Sequence, residues 1–270
     1  YYSNPQRYLG IIHSFFFAPD MPALNNFFPD HGAQWASLSA YLPFLGAIGV
    51  LAYWCAARGG WLNRLLAVSA ILALVPMGNH LFVLENWSYY ARWFYMPTLM
   101  MVLATAIALE RMDRACFGKA IRVTGGAIVL ILVISGLTPS RSDSCWKVGM
   151  FKYLDKFLAT GAITLVSFLV CAWLLRRWRH GPRFKERFGS AMLVGCFAFT
   201  FGMMMVGKAT YSDNRWITQA ALPGRGVMEM AQPGEFARSD VYKGNDNLAM
   251  YWDLPNIQCF HSIVPVSLME

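Results

Sequence analysis

Three ionisable residues lie close together in a segment that joins two apolar runs of the sequence. They are His80, Glu85 and Arg92, and the segment that carries them extends from Gly78 to Trp93. An ionisable side chain at the edge of a hydrocarbon-like core is costly unless it is paired or serves a function. The planar guanidinium of Arg92 can make two charge-assisted hydrogen bonds to a phosphate. Two interpretations follow: a structural Glu85–Arg92 ion pair, or a binding site for a substrate phosphate.

A second group of polar residues, Asp20, Asp30 and His31, lies near the start of the chain. Acidic residues beside a histidine can form a general base or a weak metal site. Their spacing matches no metal-ligand motif, and the six cysteines include no CxxC pair, so no metal ligand is predicted. Solvated loop residues are the simpler interpretation of this group. The sequence also lacks the glycine-rich, zinc-protease and nucleophile-elbow motifs of soluble enzymes.

The composition indicates which elements must position these residues. Of the chain, 56% is hydrophobic and 14% is charged, whereas a soluble domain has about 25% charged residues. The mean hydropathy of +0.37 agrees, so lipid is the expected solvent. Six segments approach the roughly 20 apolar residues that a transmembrane helix needs. They are Ser37–Ala57, Leu62–Gly78, Trp93–Leu109, Ile121–Thr138, Phe157–Leu175 and Ser190–Gly207. We therefore predict a mainly α fold, a polytopic transmembrane bundle of about six helices.

The net charge of +8 is concentrated in three short connections between these segments. Residues 58–64, 110–122 and 176–189 together carry 12 Lys and Arg residues against 3 acidic residues. Short basic loops stay in the cytoplasm, so the pattern predicts that both ends of the chain are extracytoplasmic. Such loops lie near anionic lipid. Membrane lipid, and not nucleic acid, is therefore the expected partner of the basic residues.

The same pattern predicts three regions. Residues 1–36 form an extracytoplasmic loop, residues 37–207 a six-helix transmembrane region, and residues 208–270 the start of an extracytoplasmic mixed α/β region with strand-like runs between glycines. Apolar residues at helical spacing predict a short interfacial helix within residues 139–156. Because the chain begins without Met, we expect it to be part of a longer protein.

Several stretches resemble the bacterial YfhO-type membrane proteins. They are residues 16–23, 28–30, 34–43, 89–97, 245–252 and 257–262, which include Tyr89-Tyr90-Ala91-Arg92-Trp93 and Asn245-Asp246-Asn247-Leu248. The resemblance extends over nearly the whole chain and keeps the order of the segments. None of these stretches is a catalytic signature.

That family is similar to the GT-C membrane glycosyltransferases. The resemblance implies a bacterial plasma-membrane enzyme that transfers a sugar from a polyprenyl phosphate to a cell-envelope polymer, such as lipoteichoic acid, on the outer face. It also implies that the catalytic acid lies in an earlier loop, so no catalytic residue is assigned, and the need for a divalent cation is left open. Substrate binding is predicted for the two polar groups described above, namely Arg92, Glu85, His80, Asp20, Asp30 and His31. A transporter or flippase and a non-catalytic scaffold are the alternatives.

Overall fold

The structure is a computed structural model. It describes residues 5–20, 25–29, 38–57, 59–83, 91–111, 116–142, 145–178 and 180–210. The predicted extracytoplasmic region 208–270 lies outside this part of the chain, apart from three residues that end the last helix.

The described residues form eight α-helices and one β-hairpin. In chain order the elements are α1 (Gln6–Phe16), α2 (Ile48–Ala56), α3 (Trp61–Leu74), α4 (Pro76–Val83), a 3-10 helix (Arg92–Phe94) that leads into α5 (Tyr95–Glu110), α6 (Phe117–Leu137), β1 (Pro139–Ser142), β2 (Cys145–Val148), α7 (Leu154–Trp178) and α8 (Phe184–Thr210). The fold is therefore mainly helical, as the composition predicts.

Four helices are long and apolar enough to cross a membrane. They are Arg92–Glu110, Phe117–Leu137, Leu154–Trp178 and Phe184–Gly207, and they correspond to the last four predicted spans. Large apolar side chains point away from the bundle, with Leu130 58% exposed and Phe197 71% exposed. A continuous apolar surface of this kind is costly in water but not in lipid. The membrane-type helical fold is confirmed in this coarse form.

The second predicted span is a bent pair of helices. Residues Trp61–Leu74 and Pro76–Phe82 meet at an angle of 101°. Val75 precedes a proline and has an extended backbone, with φ −91° and ψ 121°, because a proline ring disfavours the helical conformation of the residue before it. Gly78 allows the sharp return, since a Cβ there would lie 2.8 Å from the Leu72 Cα.

The first predicted span, Ser37–Ala57, is helical only over Ile48–Ala56. Residues 43–47 form turns, and Phe44 and Gly46 both have positive φ, at 64° and 54°. The left-handed backbone directs the Phe44 ring against Gly195 of α8, where a Cβ would lie 2.7 Å from it. Most apolar residues between Leu42 and Ala52 are buried, whereas Trp54 near the end of the segment is exposed. Pro43 and Gly46 prevent the predicted continuous helix.

The predicted interfacial helix within residues 139–156 is wrong. The chain instead forms an antiparallel hairpin, in which Pro139 pairs with Val148 and Ser142 with Cys145. Phe151 then makes a single bridge with Phe27, and helix begins only at Leu154. The apolar residues at this spacing, Val148, Phe151, Leu154 and Phe157, line one apolar groove although they lie in a strand, an isolated bridge and a helix.

Candidate functional site

Helix α1 separates two clusters of side chains at one end of the bundle. On one side Ile11 packs in a cluster with Trp93 and Phe94. On the other side, Leu9 packs in a cluster that contains Phe27 and Phe157. Apolar residues lie on both of these sides of α1, so the helix packs into both clusters. The described members of the predicted polar groups are divided between these surroundings, with Asp20 beside Phe27 and Arg92 beside Trp93.

Asp20 organises the loop that follows α1. One oxygen of its carboxylate, Oδ2, accepts hydrogen bonds from the backbone N–H groups of Asn26 at 3.0 Å and Phe27 at 2.8 Å. Burial raises the pKa of Asp20 to about 6, although these two hydrogen bonds act in the opposite direction. The carboxyl group therefore changes its charge near neutral pH while it accepts hydrogen bonds from the backbone of Asn26 and Phe27.

Asn26 fixes this loop to the connection before α7. Its Oδ1 accepts the N–H of Tyr153 at 2.7 Å, and its backbone carbonyl accepts the N–H of Lys152 at 2.9 Å. Phe28 donates its N–H to the carbonyl of Met150 at 2.8 Å. The partners are more than 120 residues apart in sequence, so no local sequence signal identifies Asn26.

His13 is a buried polar residue that the sequence analysis missed. It is 6% exposed, its ring stacks on Phe17 at a centroid distance of 4.7 Å, and it also contacts the rings of Phe27 and Phe28. A histidine on the apolar face of an otherwise apolar helix is the signal that could have identified it. His13 and Asp20 thus lie at opposite ends of the same short aromatic segment, with Phe27 contacting both.

Near the predicted group that contains His80 and Arg92, the buried polar residue is Asn79 and not its neighbour His80. Asn79 is 1% exposed, and its Oδ1 accepts the indole N–H of Trp93 at 2.9 Å. Phe82 stacks on the same indole at 4.4 Å. These contacts join α4 to the start of α5. His80 and Arg92 are exposed, so they lie at the surface of this junction.

Among the described members of the two predicted groups, Asp20 and Arg92 do not share a cluster. Asp20 bonds to the backbone of Asn26 and Phe27, whereas Arg92 begins the 3-10 helix that packs on the other side of α1. Glu85, Asp30 and His31 lie outside the described residues, so the Glu85–Arg92 ion pair stays a prediction. Within the described ranges, no group of three His, Cys, Asp or Glu residues is arranged to hold a metal ion.

A groove of about 770 Å³ lies between α6 and α7 below the hairpin. Its walls are apolar, and glycines on both helices, Gly136 and Gly161, widen it. Phe157 lines the groove and also packs on Phe27, whose N–H bonds to Asp20. The groove is therefore separated from the Asp20 loop by only two aromatic rings. Its size and lining suit a hydrocarbon chain.

Comparison with protein-family models, with curated proteins and with solved structures finds no match to this chain. The resemblance to the YfhO-type proteins consequently stays a prediction.

Proposed function

We propose that this chain is part of a GT-C-type membrane glycosyltransferase of the bacterial plasma membrane. Its donor is a sugar linked to a polyprenyl phosphate, and its acceptor is a cell-envelope polymer of the lipoteichoic acid kind on the outer face. The observation that carries the proposal is the α6–α7 groove. It opens towards the surface that lipid would cover and ends beside the loop held by Asp20. An isoprenoid chain in the groove brings its phosphate to this end of the bundle.

Three groups at this end have suitable chemistry for such a donor. Arg92 is a candidate for the phosphate, because guanidinium groups bind phosphate oxygens in pairs. His80 is also exposed, and it follows Asn79, whose side chain bonds to Trp93 next to Arg92. Asp20 acts as a positioning residue, since its carboxylate orients the backbone of Asn26 and Phe27 by hydrogen bonds. Polyprenyl phosphate is a leaving group whose developing charge a cation at the interface stabilises.

The proposal includes six crossings with both ends outside. The Ser37–Ala57 segment begins near α1, because Ala40 donates its N–H to Ser14, and it ends at Trp54 and Cys55, beside the start of α6. The α3–α4 pair also begins beside α6 and ends at Trp93. These contacts support two broken crossings in addition to the four continuous helices. Irregular backbone at membrane depth is tolerated where it is buried in protein.

The two broken crossings also favour a second candidate, a transporter or flippase. Transporters bind their substrates where helices are interrupted. The glycosyltransferase remains the better-supported proposal because the groove has exposed apolar walls, such as Leu137 and Leu158, and its Phe157 packs on the residue that bonds to Asp20. The two candidates differ in one measurable product: a glycosyltransferase makes a new glycosidic bond, whereas a flippase moves an unchanged lipid.

The test uses the intact protein in detergent with a polyprenyl-phosphate sugar and a polyol-phosphate acceptor. Ala162→Phe fills the groove from an exposed position on α7, and Val166→Phe, one turn further on, makes the same change outside it. We expect the first variant to lower kcat/KM for a long-chain donor by about tenfold or more and the second to leave it unchanged. A donor with a short prenyl chain should be used equally by both.

Two results would overturn the proposal. One is the absence of sugar transfer from every common donor, together with normal surface glycosylation in a deletion strain. The other is an equal loss in both phenylalanine variants, which would separate the groove from donor binding.

A further inference from the structure

A second cavity lies where α2 ends and where α3 and α6 begin. Its volume is about 510 Å³, and the residues that line it include Trp54, Cys55, Asn63, Arg64, Cys116 and Lys119. It belongs to neither of the two clusters around α1, and the proposed glycosyl transfer does not use it. We call it the α3–α6 pocket.

Two helix N-termini meet at this pocket without side-chain caps. The residue before α3 is Gly60, which has no side chain, and the residue before α6 is Cys116, whose side chain accepts no hydrogen bond from the first turn. The first N–H groups of a helix have no partner within the helix. Together with the helix dipole, they create a positive potential that favours a bound anion.

The side chains at these helix ends add to the positive charge. Arg64 follows the first turn of α3 and Lys119 lies in the first turn of α6, and both line the pocket. Neither first turn contains an acidic residue. A cation near a helix N-terminus is unfavourable unless an anion compensates it. The pocket therefore combines the positive potential of two helix N-termini with the charges of Arg64 and Lys119. The described residues at these helix starts include no acid that would balance this charge.

Asn63 provides an independent indication of a ligand. It is 6% exposed, and its Nδ2 donates a hydrogen bond to the carbonyl of Ala57. Its Oδ1 is buried and has no partner within the described ranges. Leaving a buried acceptor without a donor costs about 1–3 kcal/mol. A hydroxyl or ammonium group on the bound molecule would satisfy this oxygen.

We propose that the α3–α6 pocket binds a phosphate ester that carries a neighbouring hydroxyl or ammonium group. Arg64, Lys119 and the two helix N-termini bind the phosphate, and the Asn63 amide oxygen accepts a hydrogen bond from the neighbouring donor. The same chemistry occurs in a phospholipid headgroup and in a soluble glycerol phosphate. Trp54 and Ala67 at the wall of the pocket suit the apolar part of either molecule.

The pocket contains its own reporters, because Cys55 and Cys116 line it as free, partly buried thiols. The intact protein in a maltoside detergent is labelled with a maleimide, and the rate at each cysteine is followed by peptide mass spectrometry. The free thiol of Cys196 in α8 serves as the internal reference. The three probes are dioleoyl phosphatidylglycerol, dioleoylglycerol, which lacks the phosphate, and sn-glycerol 1-phosphate.

We expect phosphatidylglycerol to slow the labelling of Cys55 and Cys116 but not of Cys196. Protection by glycerol phosphate as well would identify a soluble phosphate ester as a ligand, and protection by the lipid alone would identify a headgroup. Protection by dioleoylglycerol to the same extent, or protection by none of the probes, would overturn the proposal.

Charge variants test the residues. Arg64→Gln and Lys119→Gln should each lower the affinity of the protecting ligand by about tenfold, since each removes a charge-assisted hydrogen bond. Arg176→Gln in the last turn of α7 makes the same change of charge outside the pocket and should have no effect. Ala67→Leu keeps every charge but fills the pocket, so it should also abolish protection while Cys196 labelling stays normal. Equal affinity in wild type and in all three pocket variants would contradict the assignment.

Discussion

The hydrogen bond between Asn79 and Trp93 is the buried polar contact on which the α4–α5 junction depends. Asn79→Ala leaves the indole N–H buried without its acceptor. We expect a loss of about 1–3 kcal/mol, since this is the usual cost of an unsatisfied buried group. The measurement is the apparent melting temperature of the purified protein in detergent.

His80→Ala is the matched control for this prediction, because the two residues are neighbours in α4 and His80 is exposed. A surface substitution usually changes stability by less than about 0.5 kcal/mol. If His80→Ala lowered the melting temperature as much as Asn79→Ala, the buried hydrogen bond would not be the cause. A fall in sugar transfer without a fall in melting temperature would instead support the predicted substrate role of His80.

The carboxyl group of Asp20 should make the stability of the protein depend on pH. Its pKa is about 6 in the folded chain, above its ordinary value of 3.8. The folded state therefore binds the proton more tightly than the unfolded state, and the contribution to stability is lost as pH rises from about 4 through 6. We expect a higher melting temperature at pH 5 than at pH 7.5.

Asp20→Asn removes the titration but keeps an oxygen that can accept the two backbone N–H groups. The difference between pH 5 and pH 7.5 should shrink in this variant. Asp155→Asn, at an exposed acid in the first turn of α7, should keep the wild-type difference. A pH dependence that is unchanged in Asp20→Asn would show that another group causes it.

At the residue scale, sequence identified the right types of side chain but not their surroundings. Arg92 and His80 stand out in the sequence because they are ionisable beside apolar runs, yet both are exposed, whereas Asn79 and His13 are buried. Amphipathic spacing alone could not distinguish them. Asn26 could not be found at all, since its partners at 152 and 153 become neighbours only through the tertiary fold.

The contact between α2 and α5 depends on the absence of a side chain at Gly49. A Cβ at this position would overlap the Thr105 side chain, so Gly49→Ala must push the two helices apart. We expect a loss of about 1–3 kcal/mol, which is typical of overpacking in a core. Gly126→Ala in α6 meets nothing within 4 Å and should be neutral or slightly stabilising, because alanine favours helix.

A second substitution tests whether this overlap is the cause. Thr105→Ala removes the two nearest atoms of the threonine side chain, so the double variant Gly49→Ala, Thr105→Ala should recover part of the lost stability. Melting temperatures of the four proteins in a double-mutant cycle measure the coupling. Independent, additive losses would contradict direct contact between the two positions.

At the element scale, hydropathy predicts the helices that depend only on their length and composition. The four continuous spans follow from it directly. Hydropathy does not predict the interruptions of the first two spans. Pro43 and Gly46 lie inside the first span and Pro76 lies inside the second, but proline and glycine are also tolerated in continuous membrane helices. What decides is the packing, such as Phe44 against Gly195 and Gly78 against Leu72. The hairpin was missed because its strands have only four residues each.

At the scale of the whole molecule, the two cavities belong to opposite ends of the helices. The α6–α7 groove lies beside the C-terminal end of α6, and the α3–α6 pocket lies at its N-terminal start. A helix of 21 residues rises about 30 Å, close to the thickness of the hydrocarbon core. The groove and the pocket would therefore serve different leaflets, and the sidedness of the chain decides which one meets the cell envelope.

Labelling of single cysteines tests both the sidedness and the number of crossings. In a cysteine-free background, Lys147→Cys marks the hairpin and Lys185→Cys marks the start of α8, while Trp61→Cys and Tyr95→Cys mark the exposed starts of α3 and α5. With a membrane-impermeant maleimide on intact cells, positions 147 and 95 should react at once. Positions 185 and 61 should react only after permeabilisation, because the basic connections are predicted to stay in the cytoplasm.

If positions 61 and 95 instead react from the same side, α3–α4 is a re-entrant loop and the six-crossing topology is wrong. The opposite pattern at all four positions would keep the crossings but reverse the sidedness, and the groove would then open to the cytoplasmic leaflet, where it could not supply a donor to the outer face.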